Sequence, residues 1–336
     1  MDLFLFFKNM PKIELHVHVE GAVNAETYFR LAQENNVKLP VSSFDEWQKF
    51  FEFKDFAHFI KVYITAVSSI KKPSDYSFLV EEFYKNQKEQ KIIYTEAYLS
   101  ASFLVDKFDD DEILDALALG MKTGEEKYGV KVNFIPDIAR NIPDSQDRVL
   151  ELILKGKERG IFIGIGLGGM ESGFPPEIFT ETYKKAKHSG LHLLVHAGEA
   201  AGPESIWGAI NSLGAERIGH GIRCLEDEKL VAYLKENNLH IEVSPVSNYC
   251  LKLIDSNSPH PIKNMLELGL NCSVNSDDPA MFSTNLTEQY VLLTEQGFSV
   301  DQLIQLNKNA LAASFLNEEE KLHYLGELIQ WENTLK

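Results

Sequence analysis

Short apolar runs rich in β-branched residues alternate along this chain with longer stretches in which apolar positions recur at helical spacing among charges. The runs are IELHVHV (13–19), IIYTEAYL (92–99), VKVNFIP (130–136), IFIGIGL (161–167), LHLLVHA (191–197), RIGHG (217–221), HIEVS (240–244) and NCSVNS (271–276). Such alternation is that of βα units, in which each parallel strand is followed by a helix that carries the chain back over the sheet. Eight units predict an α/β fold closed into a (β/α)8 TIM barrel.

One connection breaks the rhythm. Residues 22–90 are too many for a single helix, and AETYFRLAQENN, DFAHFIKVYITAVSSI and SDYSFLVEEFYKNQKEQ each carry helical patterning. A connection that follows a barrel strand lies on the C-terminal face, where sites are built. The expectation is therefore a helical insertion over that face, between strand 1 and strand 2. Its aromatic stretch FFEFKDFAHFIKVY (50–63) is either a lid or ordinary helix core. No repeat or linker interrupts the pattern, so residues 1–336 read as one barrel domain.

Composition narrows the partners. With 33 Lys+Arg against 50 Asp+Glu the net charge is -17, a field that repels nucleic acid and anionic membrane and suits a small-molecule substrate. Cys224, Cys250 and Cys272 are an odd number without CxxC spacing, which argues against a disulfide framework and for a reducing, cytoplasmic setting. The opening MDLFLFFKNM has its lysine after the apolar stretch, unlike a secretory signal, and reads as a packed N-terminal segment. No apolar run approaches the ~20 residues of a membrane span.

Candidate chemistry gathers at the strand ends. In ELHVHVEG (14–21) alternation sends His16 and His18 to the same face, two imidazoles suited to a borderline metal such as zinc. Alone, the pair is more simply two half-buried histidines. Yet the fifth run ends HAGE with His196 and Glu199, the sixth ends GHG with His220, the eighth ends NSDDP with Asp277 and Asp278, and the fourth ends GLGGME. Chemistry collected from several strand ends is how barrel enzymes build active sites. His196 and Asp277 would complete a His3Asp set that leaves room for a water, the mark of a catalytic rather than a structural metal. Glu199, three residues past His196, suits a proton shuttle, and His220 suits a group that orients or deprotonates water. Gly168 and Gly169 leave room for a flat ring to approach a backbone N–H.

PKIELHVHVEGA, GLGGMES, HAGEAAGPES, RIGHGIR, EVSPVSN and NSDDP, in this order, resemble the adenosine deaminase family of the amidohydrolase superfamily. The likeness spans residues 11 to about 285, nearly the whole predicted barrel. It implies one zinc ion per chain, or another divalent metal, held by His16, His18, His196 and Asp277, with His18 facing the substrate as well. It implies a hydrolase of a cyclic amidine C–N bond that converts a 6-aminopurine nucleoside to the 6-oxopurine and ammonia. In that scheme Glu199 protonates ring N1, His220 and Asp277 act on the water, Asp278 bonds N7, and the Gly169 N–H meets N3. The cytidine and nucleic-acid deaminase signature, HxE followed by PCxxC, is lacking.

Three positions depart from the family pattern. Glu20 replaces the aspartate that contacts the sugar 5'-hydroxyl, as in relatives acting on adenine or 5'-modified adenosines. Tyr98, in TEAYLSA, stands where an arginine is common, and Ser244 where cysteine is usual. An acid at position 20 disfavours a 5'-phosphate. GLGGME with GFPPEIF favours an adenosine-type or 6-aminodeoxyfutalosine-type substrate over free adenine, whose deaminases more often have GLDSSE there. A non-catalytic purine-binding barrel would show decay of a ligand or of the proton donor, and each is intact. No lysine near the ends of the fourth or fifth run is placed to bridge two metals, so a mononuclear site is expected.

Overall fold

The computed structural model describes residues 2–335. Within them eight parallel strands run in chain order around one sheet: β1 (Lys12–His18), β2 (Ile92–Leu99), β3 (Lys131–Ala139), β4 (Gly164–Gly168), β5 (His192–Ala197), β6 (Arg217–His220), β7 (His240–Val243) and β8 (Cys272–Val274). Each of the eight predicted runs overlaps one of them, with ends that differ by a few residues. The ring closes where Val17 bridges Asp277: the His18 N–H donates to the Asp277 carbonyl at 2.8 Å and the Asp277 N–H to the His16 carbonyl at 3.1 Å. The architecture is a (β/α)8 TIM barrel.

Closure needs a local irregularity. The Asn275 side-chain oxygen accepts from the N–H groups of both Leu15 and His16, at 2.9 and 3.1 Å, and the pairing of β1 with β2 shifts register between Glu14 and Val17. A bulge of this kind at a barrel rim re-aims side chains. His16 thereby joins the interior imidazoles, whereas Glu14, two residues earlier, reaches Ser276 and Gln87.

The N-terminal segment forms a short helix, α1 (Leu3–Asn9), and is packed as expected. Phe7 is buried and stacks on Tyr290 at 5.4 Å, and the buried Lys12 ammonium donates to the Phe7 and Met10 carbonyls at 2.6 and 2.8 Å. The long connection after β1 holds α2 (Ala25–Glu34), α3 (Phe44–Phe50), α4 (Phe56–Val67) and α5 (Pro73–Glu89). Helix α3 has no counterpart among the predicted helices, because seven residues are too few to display a periodicity. Its sequence signal is the cap, Ser43, whose hydroxyl accepts from the Glu46 N–H at 3.3 Å. Helix α4 starts at Asp55, which caps His58 N–H at 2.8 Å, and buries Phe59, Val62, Tyr63, Ala66 and Val67 at helical spacing.

Between sheet and helices the core is aliphatic and aromatic. The barrel's interior combines a small cluster of Tyr98, Ile135 and Leu194 with buried charges. Arg217 on β6 pairs with Glu96 on β2 at 2.5 Å and with Glu242 on β7 at 2.6 Å, all three fully or almost fully buried. The guanidinium also lies 4.1 Å from the Phe315 ring centroid. Cys224, Cys250 and Cys272 are free thiols. Among the described residues no helix is long and apolar enough to cross a membrane.

Candidate active site

Four strand ends bring imidazoles and a carboxylate to one point. His16 and His18 come from β1, His196 from β5, His220 from β6, and Asp277 from the turn after β8. The His18 and His196 Nε2 atoms are 3.2 Å apart, and Asp277 Oδ1 lies 3.4 Å from the Nε2 atoms of both His16 and His18. Two donors held ~2.0–2.2 Å from one tetrahedral ion stand roughly 3.3–3.6 Å apart, and each of these three separations is close to that range. The donors that all lie within 4.8 Å of one another, however, are those of His16, His196, His220 and Asp277, with His18 grouped with Asp277 and Asp278. His16 Nε2 and His196 Nδ1 are buried without a hydrogen-bond partner. An orphaned buried nitrogen is costly unless something else satisfies it. The donor chemistry, three imidazoles and one carboxylate, suits a divalent metal. His220 also lies within reach of His16, His196 and Asp277, but its Nε2 sits 3.7 Å from Glu199 Oε1, so it bridges the ligand set and that acid.

The backbone is bent to serve this cluster. His220 and Asp277 adopt φ of +61° and +64°, a left-handed conformation rare outside glycine and a local cost the surrounding packing must cover. Gly219 has no substitute: a Cβ there would lie 2.8 Å from His16 Cε1. Gly21, which closes the first motif, is needed equally, since a Cβ would fall 1.8 Å from Asp278 Oδ1.

Electrostatics divides the groups in two. Burial pushes His18 down to about 4 and His220 down to about 3, and holds His196 well below the usual imidazole range. All three are neutral at pH 7, as metal ligation and proton uptake require. Burial acts against a charge on His16 too, but the Asp277 and Glu242 carboxylates outweigh it and bring His16 up to about 9. Burial alone would raise Asp277, yet the surrounding imidazoles hold it well below the carboxylate range. Glu199 is pushed well above its ordinary value by burial and then by the charges of Asp277 and Glu171, and Asp278 by burial and then by Asp277 and Glu20. Burial thus favours the protonated form of two acids that flank one held toward its ionised form.

These groups line a cleft that encloses about 600 Å³ of empty space, its open mouth included. His18, His196, Glu199, His220, Asp277, Asp278 and Gly169 all reach it. Phe56, Phe59, Ile60, Tyr63 and Ile64 of α4 form a facing wall, with Phe103 and Leu251 beside them. The 50–63 stretch therefore divides: its later residues face the cleft, whereas Phe50, Phe51 and Phe53 pack on Trp47, Phe59 and Phe282. Among the described residues no lysine or arginine lines the cleft.

Glu20 does not line it. The side chain is fully buried, with Oε1 accepting from Tyr76 OH at 3.0 Å and from Ser100 N–H at 3.1 Å, and Oε2 accepting from Tyr63 OH at 3.4 Å. The length of glutamate carries its carboxylate past the rim and in among the inserted helices.

Sequence reasoning passed over three acids, Glu242, Glu171 and Asp137. Glu242 accepts from His16 Nδ1 at 2.9 Å and from Tyr98 OH at 3.1 Å while paired with Arg217. With its proton on Nδ1 toward Glu242, a neutral His16 would present Nε2 to a metal, and a carboxylate is the usual second partner of a ligating histidine. Tyr98, flagged as a departure, thus shares its carboxylate with a guanidinium supplied by β6. Glu171 accepts from four successive N–H groups, of Gly198, Glu199, Ala200 and Ala201, at 2.7, 3.1, 2.7 and 2.7 Å, and so anchors the loop carrying Glu199. Strand parity with His240 could have drawn attention to Glu242. Glu171 had only its place at the end of GLGGME. Asp137, within β3, and Asn141, just past it, line the cleft and carried no motif at all.

The sequence profile of the adenosine deaminase family matches residues 11–331. An adenine deaminase of Hahella chejuensis is 33% identical over 329 residues, covering 97% of this chain and 98% of its own. Among solved structures, the adenine deaminase of Arthrobacter aurescens superposes with a TM-score of 0.91 at 30% identity, over 96% of this chain and 99% of that one. An amidohydrolase from Burkholderia ambifaria, with bound Zn, shares the fold at a TM-score of 0.90 and 24% identity, over 100% and 94%. The chain belongs to the adenosine deaminase family and is a purine-deaminating hydrolase of cyclic amidine C–N bonds with a divalent-metal site at its centre.

Proposed function

We propose that the protein hydrolyses the 6-amino group of an uncharged 6-aminopurine, adenine first among them, releasing ammonia and the 6-oxopurine, with one zinc ion held by His16, His18, His196 and Asp277. Zinc so held would acidify a bound water toward ~pH 7. The chain's own residues do the rest. Glu199, protonated by its burial, donates to ring N1 as water adds at C6. His220, neutral and 3.7 Å from Glu199, takes up the proton the water gives up, and Asp277 orients that water. Asp278, also protonated, donates to N7, an acceptor that an ionised carboxylate would repel. The Gly169 N–H meets N3.

The observation that carries the substrate reading is the cleft wall. Four of the α4 side chains facing it, Phe56, Phe59, Ile60 and Ile64, are hydrocarbon, and Tyr63 commits its hydroxyl to Ser100 Oγ at 2.7 Å and to Glu20. With Glu20 turned away, the α4 face offers no free polar group to a sugar 5'-hydroxyl, and no cation lines the cleft to meet a phosphate. The relatives named adenine deaminase support the same reading, set here ahead of the nucleoside preference drawn from GLGGME. A second reading comes from the same apolar wall: an adenosine whose 5' group is itself apolar would find hydrocarbon there, and it is the alternative. The free thiols fit a cytoplasmic setting. A substrate panel of adenine, adenosine, 5'-deoxyadenosine, methylthioadenosine and AMP tests the proposal by ammonia release. Adenine should have the highest kcat/KM and AMP the lowest; a 5'-deoxy or methylthio nucleoside exceeding adenine by tenfold would establish the second reading instead.

A further inference from the structure

The inserted helices and the barrel meet at one side chain. Glu20 opens the 3-10 turn Glu20–Ala22 directly after β1, and four separate elements contact it. Its carboxylate accepts from Tyr76 on α5, from the Ser100 N–H at the end of β2, and from Tyr63 on α4, at 3.0, 3.1 and 3.4 Å. Its backbone carbonyl accepts from Tyr28 on α2 at 2.8 Å. Tyr63 is hydrogen bonded to Ser100 as well, so α4 is tied to the strand end both directly and through Glu20. Adjacent Gly21 lies against Asp278, which places this hub beside the acid assigned to N7.

We propose that Glu20 is a positioning residue that sets the separation between the α4 wall and the metal centre, and so selects what fits between them, without itself touching substrate. The physical reason lies in reach and direction. Hydrogen bonds that a buried carboxylate accepts are stronger than neutral ones and restrict the donors' orientation. Apolar packing holds α4 against the fold, but it fixes distance and direction loosely; the bond from Tyr63, to a carboxylate itself pinned by Tyr76 and Ser100, sets where along that surface α4 stands. Aspartate at this position, one methylene shorter, would not span the same three donors, and α4 would settle elsewhere. The chemical class selected is a 6-aminopurine whose far end is flat or apolar. That choice of substrate rests on the function proposed above, but the mechanical role does not.

The test uses metal-loaded full-length protein carrying Tyr76→Phe, Tyr63→Phe or Glu20→Asp. Tyr76 is absent from the cleft wall, so it is the informative position. Tyr76→Phe should raise KM for adenine about tenfold with kcat held within about twofold, and amide exchange of residues 56–67, measured without substrate, should quicken about fivefold. Glu20→Asp should do the same more strongly, with bound metal unchanged. If Glu20→Asp shifts KM while Tyr76→Phe and Tyr63→Phe leave both KM and exchange as in the parent, Glu20 is a substrate contact and the proposal falls. Should adenine prove not to be the substrate, faster exchange in all three variants would still uphold the role, and unchanged exchange would still refute it.

Discussion

The floor and the wall of the cleft are built on opposite principles. The floor is ionic, buried, and contributed by strand ends: His16, His18, His196, His220 and Asp277 sit above the Glu242–Arg217–Glu96 network, with two residues held in left-handed backbone. The wall is aromatic and contributed by an inserted helix, α4, held by the burial of Phe59, Val62, Ala66 and Val67 and by the hydrogen bonds of Tyr63 to Glu20 and Ser100. Chemistry demands fixed charges within a few tenths of an ångström, which a closed ring of strands supplies. Selection among purines demands a surface that can be re-spaced without disturbing those charges, which an insertion supplies.

The floor breaks most sharply. His196→Ala should abolish both bound metal and activity, whereas Glu199→Gln should keep the metal, read by elemental analysis, and lose about 10²–10⁴-fold in kcat. Loss of metal in Glu199→Gln would show that acid to be a ligand and redraw the floor. One layer lower, Glu242→Gln retains an acceptor for His16 Nδ1–H but leaves Arg217 with one anion fewer. Metal affinity, measured by competition with a chromogenic chelator, should fall about 10–100-fold. Affinity unchanged in that variant would mean that the ionic layer serves folding alone. The wall should give least: Phe59→Ala should raise KM for adenine on the order of tenfold while kcat and metal content hold. A large fall in kcat instead would erase the distinction between the two regions.

How much of this was legible varies with the kind of contact. The eight strands announce themselves by local composition, and the insertion by its length. The ligand candidates sit in motifs whose spacing shows which face of a strand they share. Tyr98 was visible as an anomaly, but its partner Glu242 lies 144 residues away and nothing local links them. Glu171 had no signal beyond being an acid near glycines, because four backbone N–H groups recognise it, and backbone donors leave no trace in residue identity.

Glu20 marks the boundary between the two sources of information. The sequence by itself determined the barrel, the family and the convergence of three histidines and an aspartate, because alternation along strands and chain order around a parallel ring leave those residues few other places to go. It also identified position 20 as unusual. Only the tertiary structure decided where that carboxylate points. Its donors are 43, 56 and 80 residues away along the chain, and their meeting depends on how three helices stack on a strand end, a packing outcome that no local periodicity encodes.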